Sequence, residues 1–201
     1  LAALDLKLKE QMLIELIDLQ DKFKTTFVYI THEQTEALTV ADTMAIMSDN
    51  GVIEQVGSPK TVYEFPRTKF VASFVGKTNL FEGVLAEDGS KLTVDGLDSF
   101  DVFAPKKEDW MVDGAKTLMS VRPEKIFIYK NEIDDSSNHL VGKVRDRIYY
   151  GSSSMYLVVL PNGKIVRVFE QNEEHFPKEQ IDYEDEVHLY FRKENVVLLE
   201  G

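Results

Sequence analysis

Of two residues that stand out, Asp5 and His32, the second has the type and place that phosphoryl chemistry would use. His32 follows Thr26-Phe27-Val28-Tyr29-Ile30, a β-branched and aromatic run without alternation, which predicts a strand covered on both faces in a parallel sheet. The carboxyl ends of such strands are where open α/β sheets bind ligands, and a helix N-terminus beside them favours phosphate. An imidazole there can donate a hydrogen bond to a transferring phosphoryl group, although the place also suits a plain polar residue at a helix start. Asp5 precedes an amphipathic stretch and by position alone is equally a helix N-cap. Further along, Arg122 and Glu124 lie two apart after an apolar run and could meet a ligand or form a surface ion pair. Phe100, Phe103, Trp110, Tyr149, Tyr150 and Tyr156 could form a stacking platform or simply fill a core.

The elements that must carry these residues follow from periodicity. Leu8, Met12, Leu16, Leu19 and Phe23 recur three or four apart and predict a helix over residues 6–23. Thr31-His32-Glu33-Gln34 has the spacing of a capping box, with a helix running on to Ala41. Residues 43–48 and 52–56 read as two arms of a hairpin about Asp49-Asn50-Gly51. Pro59 and Pro66 bracket a short helix over 62–65, and another is expected over 69–74. After Gly76 the pattern changes to short alternating strands punctuated by Asp88-Gly89, Asp95-Gly96, Asp113-Gly114 and Pro161-Asn162-Gly163, as in a β-barrel or sandwich. Arg122-Pro123-Glu124 before Ile126 recurs as Arg192-Lys193-Glu194 before Val196, and Glu82-Gly83-Val84 resembles Val141-Gly142-Lys143-Val144, which is compatible with two related lobes.

Composition narrows the function. The 201 residues carry a formal net charge of -12, a field that repels phosphate backbones and argues against nucleic acid as a partner. With no cysteine there is no disulfide, thiolate metal site or thiol nucleophile, and four scattered His leave little for zinc. No apolar run reaches the roughly 20 residues that span a bilayer. The chain opens on Leu1 rather than Met, with no signal-peptide pattern, and reads as a fragment.

Leu1-Ala2-Ala3-Leu4-Asp5-Leu6-Lys7-Leu8-Lys9 resembles the D-loop and following helix of ABC ATPases, and the stretch from Val28 to Leu38 resembles their switch-histidine region. Ala41 to Met47 and Gly51 to Pro59 are similar to the strands and turn that leave that domain. Phe74 to Phe81, Ser120-Val121-Arg122-Pro123-Glu124 and Gly151 to Tyr156 look like the linker and tail domain of the sugar and polyamine importer branch, with Asn79-Leu80-Phe81 closest to the spermidine/putrescine type. The resemblance implies an α/β remnant of an ABC nucleotide-binding domain over residues 1–76 and an all-β, OB-like regulatory domain of two interleaved lobes over residues 77–201.

On that resemblance, His32 faces the γ-phosphate of ATP and the attacking water, and Asp5 lies at the interface of an ATPase homodimer. The implied function is ATP hydrolysis coupled to solute import, with Mg2+ and ATP bound by the full-length subunit. The implied partners are a second ATPase copy, membrane permease subunits and, indirectly, a solute-binding protein, and the implied location is the cytoplasmic face of the membrane. The sequence departs from the pattern at Ala2, where Ser is usual, and holds no G-x-x-x-x-G-K-[ST] phosphate loop, so the chain alone is expected to bind no ATP and to be inactive. An OB-like regulatory, ligand-binding or dimerisation module without catalysis is the alternative.

Overall fold

The computed structural model describes residues 2–104, 107–135, 137–172 and 180–200, with side chains described from Leu8 onward apart from Glu10. The chain divides into two compact units, residues 1–76 and 77–201.

The first unit begins with helix α1, Ala2–Phe23. Asp5 therefore lies inside the helix rather than capping it, and its side chain, like that of Ala2, lies outside the described residues. The apolar stripe of α1 is present but uncovered, with Leu8, Met12, Leu19 and Phe23 all exposed. Residues 26–30 form no strand, contrary to the sequence expectation. Val28 is 88% and Ile30 92% exposed, because among the described residues no strand lies beside this run to take its backbone groups. No parallel pairing occurs among the described strands.

Helix α2, Gln34–Val40, starts one residue after Glu33. The expected capping box is absent: the Thr31 hydroxyl accepts from the Glu33 amide at 2.9 Å, closing a tighter turn, and no side chain caps α2. Strands β1, Met44–Met47, and β2, Ile53–Gly57, pair antiparallel through a turn in which Gly51 takes φ +76°. Helix α3, Pro59–Glu64, is capped by Ser58 and begins on Pro59, and α4, Lys69–Phe74, is capped by Thr68. Met44, Ile46, Val62, Val71 and Val75 form the small core against which Ala37 and Leu38 of α2 pack.

Among the described residues the second unit holds ten strands in two five-stranded antiparallel sheets. Those of the first half are β3 (Asn79–Ala86), β4 (Lys91–Val94), β5 (Ser99–Asp101), β6 (Lys116–Val121) and β7 (Phe127–Tyr129). Those of the second half are β8 (Asn138–Tyr149), β9 (Ser153–Val159), β10 (Ile165–Gln171), β11 (Glu186–Phe191) and β12 (Val196–Leu199). One sheet has the order β12-β6-β3-β4-β5 and the other β10-β9-β8-β11-β7. Each half thus gives its last strand to the other half's sheet, after matching single-turn 3-10 helices at Pro123–Lys125 and Lys193–Asn195.

Two asparagines fasten this exchange in the same way. Asn79 at the start of β3 accepts from the Arg167 amide and donates to the Arg167 carbonyl, both at 2.8 Å. Asn138 at the start of β8 does the same to Asp101, at 2.7 and 2.8 Å. Gly83 and Gly142 occupy matching places where a Cβ would lie 2.5 Å from the Thr93 carbonyl and 2.8 Å from that of Val159, so strand crossing there requires glycine. A single apolar core unites the halves, including Phe81, Phe100 and Phe191 in a tilted aromatic row.

Asn79→Ala leaves both backbone groups of Arg167 without their partner, at about 1 to 3 kcal/mol for each group that stays dry. Urea unfolding should show that loss for Asn79→Ala and again for Asn138→Ala, whereas Asn162→Ala, on an exposed turn, should shift the midpoint little.

Candidate functional site

The candidate site lies in the first unit, where the segment holding His32 is tied down by one carboxylate. Glu36 sits in the first turn of α2, the end at which backbone amides favour a negative charge. It is only 7% exposed, and a carboxylate so placed needs partners. Three donors supply them. Lys9 of α1 reaches Oε1 at 2.6 Å, the Tyr29 hydroxyl donates to Oε2 at 2.8 Å, and the Thr31 hydroxyl donates to the same oxygen. Lys9 also lies 3.6 Å from Glu33.

These contacts explain the titration pattern. Hydrogen bonds from Lys9, then Thr31, then Tyr29, lower the Glu36 carboxyl from 4.5 to about 2. The bond to Glu36 raises the Lys9 ammonium above its ordinary value, and the same carboxylate raises the Tyr29 phenol.

His32 stands next to this cluster in sequence. Its imidazole is exposed and, among the described residues, makes no hydrogen bond. The ring is thus available as a donor while the residues on both sides of it are held. Among the described residues, no group of three or more His, Asp or Glu converges as a metal site, and the first unit supplies no triphosphate cradle.

The other sequence candidates come apart. Arg122 is 5% exposed and donates to the Lys77 carbonyl at 3.2 Å, while Glu124 is exposed. The six aromatics form no single platform: Phe100 and Tyr156 are core, Trp110 packs against the core, and Phe103, Tyr149 and Tyr150 face outward. Tyr149 and Tyr156 do line a cleft of about 980 Å3 in the second unit, with the Arg147 guanidinium 6.0 and 5.7 Å from their ring centres. Burial first, then Glu170, pushes the Tyr156 phenol up to about 12. Arg147 Nε is buried without a partner, yet it is shut off from solvent, and Glu124 and Glu170 line the same cleft, which gives an anion little attraction.

The Glu36 cluster was not anticipated from sequence. Its one signal is the placement of two hydroxyl residues and a carboxylate at positions 29, 31 and 36, on either side of His32, with Lys9 distant in the chain.

Comparison with known proteins adds an independent line. Residues 119–199 match the model of the TOBE domain. The spermidine/putrescine import ATP-binding protein PotA of Pseudomonas aeruginosa is 41% identical over 166 residues, 82% of this chain and 45% of that protein. PotA of Thermotoga maritima is 35% identical over 206 residues, 100% of this chain and 55% of that protein. The putrescine transport ATP-binding protein PotG of Escherichia coli is 36% identical over 202 residues, 99% of this chain and 53% of that protein. The chain spans about half the length of the curated relatives it matches. Among solved structures, the cytoplasmic molybdate-binding protein ModG superposes with a TM-score of 0.53 at 14% identity, covering 60% of this chain and 94% of that one, a likeness of fold alone.

The lowered Glu36 carboxyl stabilises the folded first unit fully above about pH 4.5, and that contribution is lost as pH falls toward about 2. The raised Lys9 contributes below its ordinary value of 10.5 and ceases to do so as pH rises through its raised one. A carboxyl-detected NMR titration should show the Glu36 resonance moving near pH 2, well below the ordinary glutamate value of 4.5.

Proposed function

The chain is related to the ATP-binding subunits of spermidine- and putrescine-type ABC importers and carries a TOBE domain, and from this we propose that it serves in such a subunit, coupling ATP hydrolysis to polyamine import. Residues 1–76 are then the end of the nucleotide-binding domain and residues 77–201 its OB-like regulatory domain. The observation that carries this reading is the free imidazole of His32 on a segment anchored from both sides, in a chain 35% identical over its whole length to an import ATP-binding protein.

His32 donates a hydrogen bond to the γ-phosphate of the bound nucleotide and helps to orient the attacking water. Asp5, on α1, lies at the contact between two copies of the subunit. Bound ATP with Mg2+ supplies the transferable phosphoryl group; its triphosphate and metal anchors belong to residues other than those described. Without them this chain alone does not turn over ATP. The uncovered apolar stripe of α1 and the exposed run from Phe27 to Ile30 are the faces through which it packs into the larger domain. In this reading the subunit works as a pair beneath membrane permease subunits on the cytoplasmic face, served indirectly by a solute-binding protein.

A second reading, a ligand-binding or dimerisation module without catalysis, draws on the cleft of the second unit.

The test is ATP turnover by the full-length subunit bearing His32→Ala. Phosphoryl transfer relies on positioning and charge stabilisation, so losing one donor should cost about 3 to 4 kcal/mol, a rate loss of about a hundredfold or more, with folding intact. Turnover within about threefold of the parent, which is under 1 kcal/mol, would remove His32 from the chemistry.

A further inference from the structure

We propose that Glu36 is a positioning residue for His32, and that its ion pair with Lys9 couples the helix carrying Asp5 to the histidine segment. The inference rests on the reading of His32 as a phosphate contact and adds to it a route by which closure at one place is sensed at the other.

The case starts from what holds residues 25–32. Among the described residues, none of them makes a backbone-to-backbone hydrogen bond. Their fixed points are side chains instead, and these converge on one carboxylate. Tyr29 binds it three residues before His32 and Thr31 one residue before, while Glu36 itself stands four residues after, anchored in α2 by its packing neighbours. The chain on either side of His32 is thereby pinned to a common point, and the imidazole is left free to meet a ligand. Thr31 is doubly used, since its oxygen also accepts from the Glu33 amide at 2.9 Å and fixes the turn by which the chain enters α2.

The coupling comes from the third donor, Lys9. Lys9 is on α1, four residues after Asp5, about one helical turn along the same rigid element. Any shift of α1 that moves Asp5 moves the Lys9 ammonium, and at 2.6 Å from Oε1 that displacement reaches Glu36 without an intermediate side chain. The low carboxyl value keeps Glu36 ionised throughout the neutral range, so the pair is not switched off by ordinary pH changes. A second, looser tie between Gln20 of α1 and Asp42, at 2.9 Å, joins α1 to the residues just past α2 at an exposed position, away from Glu36.

A residue acting in this way changes the catalytic step rather than nucleotide binding. Lys9→Met and Glu36→Gln, each in the full-length subunit, should lower kcat about tenfold while changing KM for ATP less than about twofold, as expected for a small misplacement of a reacting group. Lys9→Arg should return kcat to within about threefold of the parent, and the Lys9→Met/Glu36→Gln double variant should fall no further than the lower single one. Gln20→Ala, which cuts the looser tie, should leave turnover near the parental value.

Parental kcat in Lys9→Met, a change confined to KM, or losses that multiply in the double variant would each overturn the inference. Lys9 is half exposed, so Lys9→Met decides the matter even where Glu36→Gln proves poorly folded. His32→Ala run alongside separates the two levels: normal turnover there sinks the phosphate-contact reading itself, while a dead His32→Ala with a fully active Lys9→Met sinks only the coupling.

Discussion

One carboxylate holds the first unit in the form that makes His32 available. Glu36 brings three donors from separate places, Lys9 from α1 and Tyr29 and Thr31 from the segment before His32, to a single nearly buried point on α2. A charge left there alone would be costly, whereas one with its oxygens satisfied fixes everything that touches it. The segment it pins has no backbone ladder of its own, so side-chain chemistry does the work that a sheet normally does. That combination, a held chain and a free ring, is what a hydrogen-bond donor to a moving phosphoryl group requires.

The second unit solves a different problem by reciprocity. Each half of the β domain gives its last strand to the sheet of the other, and Asn79 and Asn138 then fix the opposing edge with paired backbone bonds. Neither half can unfold without stripping a strand from its neighbour.

How much of this was legible in sequence differs between elements. The hairpin about Gly51, the helices after Pro59 and over residues 69–74, and the change of pattern after Gly76 were readable because turn chemistry and short-range periodicity determine them. The strand expected at residues 26–30 does not form, since β-branched residues state a preference that only a neighbouring strand can satisfy. The capping box failed for a related reason: Thr31 has one hydroxyl, and Glu36 together with the Glu33 amide competes for it more effectively than Gln34 does. The Glu36 cluster was not legible, because Lys9 and Glu36 meet through tertiary packing of α1 near α2 and no spacing rule links them. Among the aromatic residues, burial rather than residue type separates Phe100 and Tyr156 from Tyr149 and Tyr150.

The most direct measurement is a crystal structure of the full-length subunit holding a non-hydrolysable ATP analogue. It should place the His32 imidazole within hydrogen-bonding distance of the terminal phosphate, with the Glu36 carboxylate still bound by Lys9, Tyr29 and Thr31. An imidazole turned away from the nucleotide, or one that reaches it while Glu36 stands apart from all three donors, would contradict a carboxylate that positions the histidine for the phosphoryl group.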